Sequence, residues 1–465
     1  MKFAGLMKKL ICCILAFVML TSPVAAATTD QQMSVAQGCH TLDGQKPLHS
    51  ADARLTKTYS ALLYDINNDV LIYADNPDGQ FTPAGLVKIM TGLIIAEHGV
   101  MTDEVTVKQE VLDTLFSGSK GMNLQAGEVL TMQDLLYSVL VIGANVAASV
   151  AADHIAGSQE AFVQMMNERA AELGCTDTNF VNVHGLSDSL QVTTARDVAK
   201  IIVAAMKNDV FMDAFGTYVI RLPATNMSEE RKISSENFLF NRNLGSNHFE
   251  RRATGSRMGL TGDGGINLVV TAESNDVQLV SIVMGSTSEI NPNGEEGCYK
   301  EARILLDMGF LEHTHMNVLH ENQIMEQFRI ENGDSDLTAC VKINAATSLP
   351  VGTTDADLNY RFDKDTNALK APIRKDTKVG SVAIWYQNTC VADAEIFAMH
   401  DVGVQEKAAA ENLPVERDAN HYTLLTVVAV IVGLLIVLLF GRSMIFRMIR
   451  KRQIKRHRRN QRRSR

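Results

Sequence analysis

The chain has 465 residues, 46% of them hydrophobic and 21% charged, proportions that exclude a disordered polar chain and leave room for two or more folded domains. The formal net charge is −9, but setting aside about +12 in the tail from Arg442 and +3 in the first nine residues leaves a body near −24. Such an acidic body has no electrostatic footprint for nucleic acid.

Lys2, Lys8 and Lys9, the apolar run Leu10 to Leu20 and the small residues Ala25, Ala26 and Ala27 have the layout of a secretory signal peptide, predicted over 1–27. Cys12 and Cys13 lie inside the apolar run, a position unsuited to a lipid anchor. At the other end, Tyr422 to Phe440 carries no charged residue, and roughly 20 apolar residues suffice for a bilayer-spanning helix, predicted at 421–441. The tail 442–465 is rich in Arg and Lys and has no acid, which the positive-inside rule places in the cytoplasm. The body is therefore expected outside a single-pass cytoplasmic membrane protein. The tail reads as a topology determinant that touches anionic lipid rather than nucleic acid.

After a polar leader (28–50), YSALLYDINNDVLIYADNPDG holds two strand-like runs around Asn67, Asn68 and Asp69, a hairpin. Helical patterns fill Pro83 to Lys207, including LVKIMTGLIIAEHG, TMQDLLYSVLVIGANVAASVAADHIAG and SQEAFVQMMNERAAELG, each ended by glycine. Strands return in INLVVTAESNDVQLVSIVMGS, with a turn at Ser274 to Asp276, and a helix over Cys298 to Met308 closes a first domain, 51–312. Short alternating runs from His313 to Val402 predict a small β-domain, 313–405, followed by a linker, 406–420. His313 and His315 are expected as a solvated surface pair, and no Cys/His spacing suggests a metal. Of the cysteines beyond the signal, Cys39 is expected to pair with Cys298 and Cys340 with Cys390, leaving Cys175 as a buried thiol.

Three segments carry the pattern of an acyl-transfer site. In Pro83 to Gly92, PAGLVKIMTG resembles P-A-S-x-x-K-I-M-T, with Lys88 in place and Gly85 at the serine position. In VIGANVAAS, Gly143 falls where a second hydroxyl would stand, and Asn145 keeps the amide that would hold a peptide backbone. In ATGSRMGLTGDGG, a gap-free match to K-T-G puts Arg257, Met258 and Gly259 at its three positions; a second register, on Leu260, Thr261 and Gly262, needs a deletion and loses the cation. With SGSKGMNLQAGEVLTMQDLLYSVL, MNERAAELGCTDTNFVNVHGL and TTARDVAKI in order, these segments resemble the serine-type D-Ala-D-Ala carboxypeptidases, the low-molecular-weight penicillin-binding proteins. DSDLTACVKI and LKAPIRKDTKVGSVAIWY extend the resemblance to Val402.

The resemblance implies a β-lactamase/transpeptidase-like α/β fold, in which helices cover both faces of an antiparallel sheet and an all-helical subdomain borders the cleft. A stalk-like β-domain and the membrane helix would follow. It implies peptidoglycan stem peptides as ligands and no cofactor. The enzymes of the family need a serine on the first turn of a helix, activated by a lysine one turn later. Gly85 has no side chain to acylate, Ala84 cannot substitute, and Thr82 lies too far before Lys88. Removing such a nucleophile typically costs around 10⁶ in turnover. The expected function is thus non-catalytic binding of stem peptides or of a wall-synthesis protein. The competing reading is an active carboxypeptidase with a relocated nucleophile.

Overall fold

The computed structural model describes residues 42–43, 45–55, 58–114, 121–261, 265–286, 296–405 and 427–432. The expected signal peptide, linker and basic tail lie outside them, as does all of the expected membrane span but 427–432. Among the described residues no helix is long and apolar enough to cross a membrane.

Strands β1 (Ser60–Asp65) and β2 (Val70–Asp75) form the expected hairpin, its turn helped by Asp69 at φ 56°. With β7 (Ala253–Thr261), β8 (Gly265–Ser274) and β9 (Val277–Ser286) they build one antiparallel sheet in the order β2-β1-β9-β8-β7. The β8–β9 turn puts Asn275 and Asp276 at φ 51° and 63°, the consecutive left-handed pair that a type I′ hairpin needs and that Asn and Asp tolerate. Strand residues alternate between faces, and here both faces are covered, so the strands read as unbroken apolar runs. Leu62, Tyr64, Ile282 and Met284 enter the larger core, whereas Ala61, Leu63, Val270 and Val283 enter the smaller one.

The larger core surrounds α1 (Val87–His98), whose residues from Val87 to Ile95 are all buried. Around it lie α2 (Gln109–Asp113), α3 (Met132–Tyr137), α4 (Asn145–Ala156), α5 (Gln159–Glu172), α6 (Ala195–Ala205) and α7 (Asp209–Phe215). On the opposite face, α8 (Glu296–Leu311) packs through Cys298, Ala302, Leu305 and Leu306. Two features correct the expected helical subdomain. It is not all-helical, because β3 (Glu104–Thr106) pairs with β4 (Val129–Thr131) beside it. Nor is TMQDLLYSVLVIGANVAASVAADHIAG one helix: α3 passes into a π-turn over Ser138–Ile142, Gly143 turns left-handed at φ 73°, and α4 starts anew at Asn145. A second ribbon, β5 (Val219–Leu222) with β6 (Arg231–Ser234), flanks the cleft.

The C-terminal part is all-β. A ribbon of β10 (His313–Leu319) and β13 (Ala345–Pro350) accompanies a five-stranded sheet of β11 (Ile324–Phe328), β12 (Leu337–Val341), β16 (Thr389–Ala398), β15 (Lys378–Tyr386) and β14 (Leu358–Lys364), in that order, around its own core. The seam with the first domain is polar: the buried Asp65 carboxylate accepts Ser348 Oγ at 2.5 Å and Asn68 Nδ2 at 2.7 Å.

Three expectations fail at this seam. The leader does not stay irregular up to His49, since Leu48 and His49 N–H donate to Leu71 and Ile72 O at 3.0 and 2.9 Å along β2. His313 is not a solvated surface residue; it is buried against Met308 and His49, and only His315 is exposed. The cysteine scheme also fails, because Cys298 and Cys340 are thiols while Cys390 is disulfide-bonded. Cys175 is a buried thiol, as expected, and burial pushes it up to about 12.

Candidate functional site

A cavity of about 340 Å³ opens between β7, the start of α1 and the π-turn before α4. Gly85, Lys88, Gly143, Asn145, Arg257, Met258 and Gly259 all line it, so the fold brings the seven sequence-selected positions to one place. Of the second register, Leu260 lines the cavity and Thr261 ends β7; Gly262 lies outside the described residues.

The turn that carries Gly85 is unusual. Ala84, buried and with φ 49°, adopts the left-handed region that a side chain rarely enters. One turn into the helix, Lys88 is buried, and its Nζ donates to the carbonyl of His184. Burial and the Lys88 charge push the His184 imidazole down to about 4, so it is neutral at ordinary pH. Gly185 follows at φ 80°, and a Cβ there would overlap the Ala84 carbonyl.

The missing side chains leave no vacancy. A Cβ built on Gly85 would lie 2.7 Å from the Met258 carbonyl oxygen and 3.1 Å from Gly259 Cα, both backbone atoms of β7. The strand thus approaches the turn as only two facing glycines permit: a Cβ on Gly259 would in turn overlap Gly85 N. Likewise a Cβ on Gly143 would overlap the Arg257 guanidinium, which crosses the cleft and donates through Nη1 to Leu140 O at 3.2 Å. Arg257 is buried, its Nε has no hydrogen-bond partner, and burial holds the guanidinium down to about 10, with Glu236 acting in the opposite sense. The cation therefore persists at neutral pH beside the cavity.

Sequence reasoning missed His184, Gly185, Ser235, Glu236, Asn237 and Ser256 on the lining. The His-Gly step in VNVHGL, inside a segment already selected, was the one available signal. Of the two hydroxyls, Ser256 Oγ donates to Val269 O at 3.0 Å and accepts from Asn237 Nδ2, and Ser235 Oγ accepts Asn237 N–H at 3.3 Å. What the site offers is two cations, two amides and a carboxylate around a cavity, with no side chain at the nucleophile position. Among the described residues no group of three or more His, Cys, Asp or Glu could hold a metal ion.

Comparison with known proteins gives a consistent picture. The family described as D-alanyl-D-alanine carboxypeptidase matches residues 48–288, and the C-terminal domain of penicillin-binding protein 5 matches 314–404. D-alanyl-D-alanine carboxypeptidase DacA of Haemophilus influenzae is 30% identical over 359 residues, 74% of this chain and 84% of the relative. DacC of Escherichia coli is 28% identical over 364 residues, 76% and 85% of the two chains. Among solved structures, penicillin binding protein 5 from Haemophilus influenzae superposes with a TM-score of 0.60 at 27% identity, over 75% of this chain and 98% of the other. With the sheet, the cleft and the β-domain all accounted for, the chain belongs to the D-alanyl-D-alanine carboxypeptidase family.

Proposed function

We propose that this carboxypeptidase-like protein of cell-wall metabolism is a non-catalytic member of its family, which binds peptidoglycan stem peptides in the cavity beside Lys88, Asn145 and Arg257. The observation that carries the reading is the contact between Gly85 and β7. An acyl-enzyme needs a nucleophile at that turn and space for the scissile carbonyl; glycine supplies neither, and the backbone of Met258 and Gly259 occupies the place of a side chain. The binding groups remain, since a cation suits a terminal carboxylate and an amide suits a peptide backbone. Its setting is the outer side of the cytoplasmic membrane, supported by the apolar run Tyr422 to Phe440 and the basic tail after it.

Labelling with a fluorescent penicillin, followed by intact-mass spectrometry of the full chain, tests the first half. No adduct is expected, and a stoichiometric adduct on any cavity residue overturns the reading in favour of a relocated nucleophile. Calorimetric titration with a peptide ending in D-Ala-D-Ala tests the second half. Arg257→Ala is expected to weaken binding roughly tenfold or more, the scale of one lost charged hydrogen bond. A peptide amidated at its C-terminus that binds equally well would remove stem-peptide capture and leave a wall-synthesis protein as the ligand.

A further inference from the structure

Outside the cleft, the seam between the two domains brings two imidazoles together nitrogen to nitrogen. His49, at the end of the leader, and His313, the first residue of β10, approach Nε2 to Nε2 at 3.2 Å, their rings nearly perpendicular at 80°. His313 Nδ1 lies 2.9 Å from the Met308 carbonyl, which can only accept, so that nitrogen carries the hydrogen. In the neutral ring the His313 Nε2 is then bare, and His49 Nε2–H donates to it. One proton sits between the facing nitrogens, and a second would set two donors against each other.

We infer that the His49–His313 pair is an acid-released latch, whose protonation frees the leader from the edge of β2 and loosens the seam between the carboxypeptidase-like domain and the β-domain.

The surroundings fix the direction. His49 faces Asp52 on its own loop and Glu312 at the foot of α8, while His313 faces Glu312 and Asp65 of β1; these carboxylates favour the charged rings. Burial opposes them and is the largest influence on both, so both imidazoles lie below their ordinary 6.5. Arg54 already pairs with Asp52 at 2.5 Å and with Glu312 at 2.6 Å, which blunts the help those two can give. Tyr73 of β2, bridged to His49, adds no charge, its hydroxyl being pushed up to about 12. His315, two residues along β10, meets Asn68 at 3.3 Å instead.

The sign follows from proton uptake. With folded values below the unfolded one, the unfolded chain binds more protons as pH drops below about 6.5. The stability carried by the neutral pair is therefore complete above that pH and is lost on acidification toward the folded values. The Arg54–Asp52 ion pair outlasts it, because Arg54 holds the Asp52 carboxyl below its usual range. Opening thus begins at the histidines. The hydrogen bonds exposed are Leu48 N–H to Leu71 O, His49 N–H to Ile72 O and Ala74 N–H to His49 O, at 3.0, 2.9 and 3.1 Å.

The test is carried out on the full-length protein with ¹³C-labelled histidine. The His49 and His313 ring resonances are expected to titrate below 6.5, and hydrogen exchange of peptides covering 45–49 and 71–74, corrected for intrinsic rates, is expected to quicken between pH 7.5 and 5. Loss of protection should reach roughly tenfold for each unit by which a folded value is depressed. Glu312→Gln, an exposed change that removes a carboxylate favouring the charged rings, should depress both ring values further and deepen the loss of protection at pH 5. His49→Gln/His313→Gln should make exchange in these peptides insensitive to pH over that range. Ring resonances that titrate at 6.5, or protection in the unaltered protein that does not change with pH, overturn the latch whether or not the double variant folds.

Discussion

At the scale of single residues, the cleft is decided by what glycine allows. Restoring the family's serine by Gly85→Ser would press a Cβ onto the Met258 carbonyl at 2.7 Å. Overpacking against a backbone that cannot swing aside costs about 1–3 kcal/mol. The expected outcome is a lower melting temperature by calorimetry and no acylation by penicillin in the gel assay. Gly143→Ser meets two obstacles, the left-handed φ of 73° and the guanidinium of Arg257. It is expected to be tolerated better in combination with Arg257→Ser than alone, a coupling that a double-mutant cycle measures. If the two changes were simply additive, the packing of Arg257 on Gly143 would carry no energetic weight.

At the scale of elements, the β3–β4 and β5–β6 ribbons are tied to one another by charge. Glu128, fully buried before β4, takes Arg231 of β6 at 2.6 Å and Thr225 Oγ1 at 2.8 Å. These bonds hold its carboxyl below its usual range against the opposing effect of burial. Glu128→Gln leaves Arg231 without its counter-charge, and breaking a buried pair from one side costs about 3–5 kcal/mol. Chemical denaturation should show a lower midpoint at an unchanged slope. The elements differ in how readable they were. The two hairpins announced themselves because Asn and Asp take the left-handed turn positions locally, whatever surrounds them. The break at Gly143 did not, since a glycine inside a helical pattern also fits an uninterrupted helix; only packing of the π-turn against α1 and β6 distinguishes the two. The seven cavity positions were legible through motif order. Arg257 lying on Gly143 was not, because no periodicity reports a contact between residues so far apart in the chain.

At the scale of the molecule, the seam is expected to make the two domains unfold as one cooperative unit. Asp65 accepts from Ser348 across it. Asp65→Ala takes the acceptor from Ser348 Oγ and from the Asn67 and Asn68 backbone N–H groups, an unmet buried donor costing about 1–3 kcal/mol. Calorimetry should then resolve the single unfolding transition expected of the native protein into two. A single unsplit transition in the variant would show that apolar packing of Leu48 between the two cores suffices for coupling. The mutual approach of Gly85 and Gly259 has a consequence on a longer timescale still. A serine regained at position 85 collides with the backbone of β7, so a lineage that has lost the nucleophile regains it only by passing through a destabilised intermediate. Position 85 can accept a side chain only after β7 has moved away, and nothing selects for that movement while no nucleophile is there to use it. The close approach of β7 to Gly85 acts as an evolutionary ratchet.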